Sequence, residues 1–312
     1  MKLDGMHHIT MITGDAQRNV DFCAGVLGLR LVKKTVNFDA PEAYHLYFAD
    51  EQGTPGSILT WFEFAGARAG HAGAGMIHTI QLGVAGGSSL DFWEERLSAA
   101  GHSSERSQGS LRFLDPDGLG FELVIADPDD PPLRARHPEV PDAHAILGVA
   151  GARAYIGRPI DADAALLTET LGFTTAATPG AYRLQGDTRG FDWIYEPTTE
   201  PGSQGAGTVH HIAWHSRDED HVTWRQRVAT AAMHVTPVID RDYFKAVYFR
   251  EPQGILFELA TTSPGFAVDE DPDHLGEELR LPAQHEHLRP SLERALTPIR
   301  NPRTGSSAEA AR

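Results

Sequence analysis

An internal repeat constrains this chain more than any other feature. Two stretches are nearly superimposable: Asp115-Pro116-Asp117-Gly118-Leu119-Gly120-Phe121-Glu122-Leu123 and Glu251-Pro252-Gln253-Gly254-Ile255-Leu256-Phe257-Glu258-Leu259. Each is an acid-Pro-x-Gly turn leading into a strand, because Pro and Gly set the turn and the apolar run after it builds a buried strand. Ahead of the first, Leu90, Trp93 and Leu97 fall at i, i+3 and i+7 and predict a helix that Gly101 ends. Further upstream each copy has a strand bearing histidine, Ile77-His78-Thr79-Ile80 and Val209-His210-His211-Ile212. Two fainter copies exist. One runs from Met6-His7-His8-Ile9-Thr10, through a helix near 15–27, to Gly56-Ser57-Ile58-Leu59-Thr60-Trp61. The other runs from Gly151-Ala152-Arg153-Ala154-Tyr155 to Gly190-Phe191-Asp192-Trp193-Ile194.

The chain therefore reads as four βαβββ units, at 6–64, 76–126, 149–197 and 208–261, and as an α+β fold. A unit of about 50 residues cannot bury its sheet alone, so the units are expected to pair into two curved, barrel-like sheet domains. The Pro- and charge-rich connector from Asp127 to Asp142 is the natural boundary. It predicts an N-terminal domain over 1–130 and a C-terminal domain over 143–263. A tail over 264–312 has one helix around 285–296 and a small, polar end at 301–312 expected to be disordered.

Composition narrows the function. Forty-three acidic against 27 basic residues give a net charge of −16, which disfavours nucleic acid and phosphate-rich ligands but not a small neutral aromatic. The single cysteine, Cys23, sits in an apolar-periodic stretch and reads as a buried small hydrophobe. One cysteine, no signal-peptide pattern and no bilayer-length apolar run fit a cytoplasmic chain without a membrane partner. Monomer and homo-oligomer both stay open.

Four residues beyond the shared glycine, the last strand of each unit presents Thr60, Glu122, Ile194 or Glu258. Matched with first strands, this gives His8 with Thr60, His78 with Glu122, Arg153 with Ile194, and His211 with Glu258. Units one and four together offer two histidines and a carboxylate. Units two and three offer one histidine, one carboxylate and an arginine, so His78 and Glu122 read as a vestigial or structural pair. Two imidazoles and a carboxylate leave open positions on a metal, which suits a non-haem Fe(II) centre, with Mn(II) as an alternative. His8 and His211 are preferred to His7 and His210 because neighbours on a strand point to opposite faces or angles. Glu122 remains a rival to Glu258.

The repeat and its histidine-bearing strands resemble the vicinal oxygen chelate superfamily of glyoxalases and extradiol dioxygenases. More narrowly, the chain resembles the para-hydroquinone ring-cleaving dioxygenases, the group of 2,6-dichlorohydroquinone 1,2-dioxygenase. The match covers most of residues 6–297. It is strongest at His7-His8-Ile9-Thr10, Thr13-Gly14-Asp15-Ala16-Gln17, Val32-Lys33-Lys34-Thr35, Tyr44-His45-Leu46-Tyr47-Phe48-Ala49-Asp50 and Gly53-Thr54-Pro55-Gly56, with Gly265-Phe266 and Asp269-Glu270-Asp271 in the tail. The resemblance implies a mononuclear Fe(II) on His8, His211 and Glu258, with His7, His210, Arg241 and Tyr248 around it as acid–base and oxyanion-binding groups. It implies a small aromatic substrate and O2 as reactants. The segment 240–244 is shorter than the family's version, which makes the placement of Arg241 less secure than that of Tyr248. The alternatives are a catechol extradiol dioxygenase, a glyoxalase-type isomerase or thiol transferase needing a fourth ligand where Thr60 stands, with Glu63 nearby, and a ligand-sequestering protein.

Overall fold

The computed structural model describes residues 1–231 and 233–303. The end expected to be disordered lies, from 304 onwards, outside the described residues. No helix among the described residues is long and apolar enough to cross a membrane.

Each unit contributes four strands. Unit one has β1 (Met6–Thr13), β2 (Arg30–Val36), β3 (Tyr44–Ala49) and β4 (Ile58–Glu63). Unit two has β5 (Met76–Val84), β6 (Ser104–Ser107), β7 (Ser110–Leu114) and β8 (Gly120–Ile125). Unit three has β9 (Val149–Ile156), β10 (Thr174–Thr175), β11 (Ala181–Gln185) and β12 (Gly190–Pro197). Unit four has β13 (Thr208–His215), β14 (Ile239–Asp240), β15 (Lys245–Arg250) and β16 (Leu256–Ala260). Helical turns follow each first strand. The expected helix forms at Gly87–Ala99, buries Leu90, Trp93 and Leu97, and is followed by Gly101 at φ +82°. The tail helix forms at Arg289–Ala295, after a 3-10 stretch over Ala283–Leu288.

The acid of the repeat turn is explained by hydrogen bonding. Glu251 accepts from the backbone N–H of Gln253 at 2.8 Å and Ile255 at 2.6 Å, and Asp115 accepts likewise from Asp117 at 2.9 Å and Leu119 at 2.8 Å. Asp50 makes the same i+2 and i+4 bonds, to Gln52 and Thr54. The carboxyl group thus holds the turn that aims the last strand of its unit.

Two curved eight-stranded sheets result, ordered β14-β15-β16-β13-β1-β4-β3-β2 and β10-β11-β12-β9-β5-β8-β7-β6. The first joins units one and four, the second units two and three. The division at 127–142 into two sheet domains therefore does not describe the sheets, each of which takes one unit from either side. The cause is pairing of first strands: β1 lies antiparallel to β13, and β5 to β9. Consecutive units do pack through side chains. Phe22 meets Phe113 and Phe121 between units one and two, and Trp214 meets Phe173, Phe191 and Trp193 between units four and three. Full burial of an aromatic such as Trp214 stabilises the fold by roughly 2–3 kcal/mol. Cys23 is fully buried and its thiol is pushed up by that burial, as befits a core residue. The tail crosses back over the first sheet, where buried Lys33 Nζ meets Asp269 at 2.6 Å and pairs with Glu270.

Candidate metal centre and cavity

The central strands of the first sheet each carry one extra residue. Met6 lies opposite Trp214 but His8 opposite Ala213, so β1 bulges at His7. Thr10 lies opposite His211 but Met11 opposite Val209, so β13 bulges at His210. A bulge breaks the alternation of side chains and re-aims one of them. Accordingly His7 Nδ1 lies 2.9 Å from His8 Nδ1, and His210 Nδ1 lies 2.8 Å from His211 Nδ1. Alternation was expected to part the histidines of each pair; the bulges instead leave them in contact.

The outer nitrogens converge. His8 Nε2 and His211 Nε2 are 3.2 Å apart, and Glu258 Oε2 is 2.9 Å from the latter and 3.5 Å from the former. Among the described residues, His8, His211 and Glu258 are the one set of three metal-ligating side chains that meets in this way. Glu258 arrives on β16, between Ala213 of β13 and Tyr248 of β15. Burial would push its carboxyl up, but the two imidazoles hold it below the ordinary carboxylate range. Burial pushes the His211 ring down, against the pull of Glu258, and so keeps it a neutral donor. Glu258 is wholly buried, and among the described residues the close polar contacts of its oxygens are the His8 and His211 rings. A buried carboxylate that meets two imidazole nitrogens is a donor set that fits a divalent transition metal.

In the second sheet the repeat match needs correction. The residue two beyond each shared glycine pairs with His8 in unit one, Thr79 in unit two and Gly151 in unit three. The equivalents of His8 and His211 are thus Thr79 and Gly151, while His78 sits at the bulge, one residue off, and Arg153 two residues beyond Gly151. Glu122 is engaged by Gln81 at 2.7 Å, Ser110 at 3.0 Å, Arg112 at 3.1 Å and Arg153 at 3.0 Å. It is a structural ion pair and does not rival Glu258.

Beside the three residues opens a cavity of about 370 Å³, walled by Phe38, Phe62, Phe64 and Phe244, with Asn37, Asp39, His45, Tyr47, His210, Arg241 and Tyr248 among its polar groups. Arg241 Nε donates to the Tyr248 hydroxyl at 3.3 Å, which leaves the Tyr248 O–H to donate. Burial and then Glu258 push the Tyr248 phenol well above its ordinary value, against Arg241. His210 is exposed at the cavity, and burial of its ring, then His211, lowers its pKa to about 3, so it is neutral near pH 7. Arg241, the less secure assignment, lines the cavity and also reaches Asp39 at 3.2 Å. His7 is the exception. It backs His8 and Phe244 and faces a separate recess, so it does not line the cavity.

Sequence reasoning gave no role to His45 and Tyr47. The Tyr47 hydroxyl lies 2.9 Å from His45 Nδ1, and His45 Nε2 lies 2.6 Å from Thr60 Oγ1. The repeat did contain the signal. Tyr47 pairs with Thr60 as Tyr248 pairs with Glu258, so the two tyrosines are equivalent positions of units one and four.

Comparison with known proteins gives the family of the chain. The model of the Glyoxalase/Bleomycin resistance protein/Dioxygenase superfamily matches residues 5–123 and 157–259, and the chain belongs to that superfamily. It is 44% identical over 306 residues, 96% of this chain and 97% of the relative, to "Putative ring-cleaving dioxygenase MhqO" of Bacillus subtilis (strain 168). It is 34% identical over 313 residues, 95% of this chain and 96% of the relative, to the chlorohydroquinone/hydroquinone 1,2-dioxygenase of Sphingobium indicum. A crystal structure described as a putative dioxygenase from Bacillus subtilis superposes with a TM-score of 0.89 at 43% identity, over 96% of this chain and 98% of that one. Glyoxalase I from Zea mays shares the fold alone, with a TM-score of 0.57 at 17% identity over 83% of this chain and 92% of that one.

Proposed function

We propose that this member of the superfamily is an Fe(II)-dependent dioxygenase that opens the ring of a hydroquinone with O2. The observation that carries the reading is the buried, converging set of His8, His211 and Glu258 beside an aromatic-walled cavity of about 370 Å³. When bound, iron supplies a redox-active Lewis acid with positions left for substrate and dioxygen. The phenylalanine walls exclude water and fit a flat ring. The Tyr248 O–H, steadied by Arg241, donates to oxygen that gains negative charge, and Arg241 adds its own charge there. His210, neutral and open to the cavity, has its Nδ1 engaged by His211 and so keeps its hydrogen on Nε2, where it donates to an oxygen of the substrate that gains negative charge. His7 holds the ring of His8 from behind.

A glyoxalase-type reaction is less well supported. Thr60 occupies the repeat position of Glu258, and its hydroxyl is engaged by His45 and Thr10. Glu63 does not line the cavity. A catechol substrate uses the same metal set and is separated by assay. The test loads the metal-free protein anaerobically with Fe(II) or Mn(II), then measures oxygen uptake and ring opening for hydroquinones and catechols. One O2 consumed per hydroquinone opened, faster than for catechol, is expected, and Glu258→Gln is expected to lose iron while staying folded. Isomerisation of a glutathione hemithioacetal without oxygen would overturn the reading.

A further inference from the structure

We infer that Tyr47 is the acceptor for the second, distal hydroxyl of the ring substrate, its polarity fixed by a hydrogen-bond chain through His45, Thr60 and Thr10. The inference rests on the reading of the cavity as a hydroquinone site and names how that site recognises the end of the ring away from the metal.

The argument starts at the inner end of the chain. Thr60 Oγ1 donates to Thr10 Oγ1 at 3.1 Å, and this uses the only hydroxyl hydrogen that Thr60 has. The 2.6 Å contact between Thr60 Oγ1 and His45 Nε2 must then be a bond that the ring donates. With its hydrogen on Nε2, a neutral His45 presents a lone pair at Nδ1, which accepts from the Tyr47 hydroxyl at 2.9 Å. Tyr47 has thereby spent its hydrogen, and what it shows the cavity is an oxygen lone pair. The four side chains are all buried, so bulk water does not scramble this order.

Tyr248 is the mirror case. It receives Arg241 Nε and keeps its own hydrogen free for the cavity. The two tyrosines are equivalent in the repeat and stand on opposite flanks of the ligand strands, β3 on one side and β15 on the other. One flank therefore offers a donor and the other an acceptor. A substrate fits this polarity when it brings a negative or acceptor oxygen to Tyr248 and an O–H donor to Tyr47, with the ring between. A para-dihydroxybenzene does so; a ring whose distal oxygen is methylated does not.

The experiment is anaerobic calorimetric binding of hydroquinone and 4-methoxyphenol to the Fe(II)-loaded protein, with oxygen uptake measured separately. The native protein is expected to bind hydroquinone about tenfold more tightly than 4-methoxyphenol, the size of a buried donor left without a partner. In Tyr47→Phe that tenfold preference should vanish through weaker hydroquinone binding, with 4-methoxyphenol unchanged. In Thr60→Val the His45 tautomer is released and the preference should shrink, while Thr60→Ser restores it. A preference untouched in Tyr47→Phe, with hydroquinone still turned over, overturns the role of Tyr47 and leaves the proposed function standing. Absence of binding and of oxygen uptake for every phenol overturns both.

Discussion

The two histidines at the bulges look interchangeable in sequence, yet their surroundings predict different defects. His8 must present a lone pair at Nε2 to hold a metal, so its hydrogen sits on Nδ1 and is donated to His7 Nδ1 at 2.9 Å. His211 is held by His210 in the same way at 2.8 Å. Removing such a partner typically lowers metal affinity 10–100-fold, or about 1.4–2.7 kcal/mol. That loss is expected in both His7→Ala and His210→Ala. Only His210 also faces the cavity, so only its loss should slow turnover at saturating metal, by roughly 10²–10⁴-fold. Asparagine places an acceptor oxygen near the position of Nδ1. His7→Asn should therefore recover most of both properties, and His210→Asn should recover metal affinity without turnover. The assay is an anaerobic Fe(II) titration beside kcat at saturating iron for each variant. Equal losses of kcat in His7→Ala and His210→Ala at saturating iron would refute the argument, because the separation of the two rings by the cavity wall would then have no consequence.

Two further predictions concern stability. Lys33→Met leaves Glu270 buried with only Arg280 Nε at 3.8 Å, so a loss of about 3 kcal/mol is expected in denaturation; Lys33→Met with Glu270→Gln should recover most of it. Burial, then the hydrogen bond to Asp163, pushes the Glu251 carboxyl well above the ordinary range. The folded state therefore keeps a proton that the unfolded chain gives up near pH 4.3, so this carboxyl's contribution to stability is present at low pH and lost as pH rises from about 4.3 toward the folded value. Glu251→Gln imitates the protonated acid, and its denaturation midpoint should fall less between pH 6 and 8.5 than the native one; an identical fall would show that Glu251 is ionised when folded.

Much of this was legible in the residues, and the rest was hidden for definable reasons. Four units, their strands and the three side chains that converge in the first sheet follow from motifs local in sequence: a turn, a helix period, a histidine pair. Counting ligands by unit even implied that units one and four meet, although the connector at 127–142 suggested another grouping. Sheet partnership depends on which first strands pair, and a local motif does not state that. The register at His78 and Arg153 was off because a bulge adds a residue without leaving a compositional mark. The placement of His7 behind His8 was hidden for the same reason. His45 and Tyr47 were missed because their meaning is relational. Tyr47 gains a role only once β3 is laid against Thr60 and the repeat is carried to the third strand of each unit.

The second sheet shows what the first sheet's chemistry depends on. Both sheets are built on an antiparallel pair of bulged first strands, flanked by parallel last strands that bring Glu122 or Glu258 to the same place. The backbone is therefore not what distinguishes them. In the second sheet Thr79 and Gly151 stand where the ligand histidines would be, and Glu122 is neutralised by two guanidinium groups and two further donors. A carboxylate satisfied in this way has no use for a metal, and the arginines would repel one. In the first sheet the same position is occupied by a carboxylate whose close polar neighbours, among the described residues, are the rings of His8 and His211. Burying that anion is costly, and a cation held by the three side chains would offset the cost. The same backbone thus supports a closed ion network in one sheet and a donor set that fits a metal in the other, and a few side chains at and beside the bulges decide which.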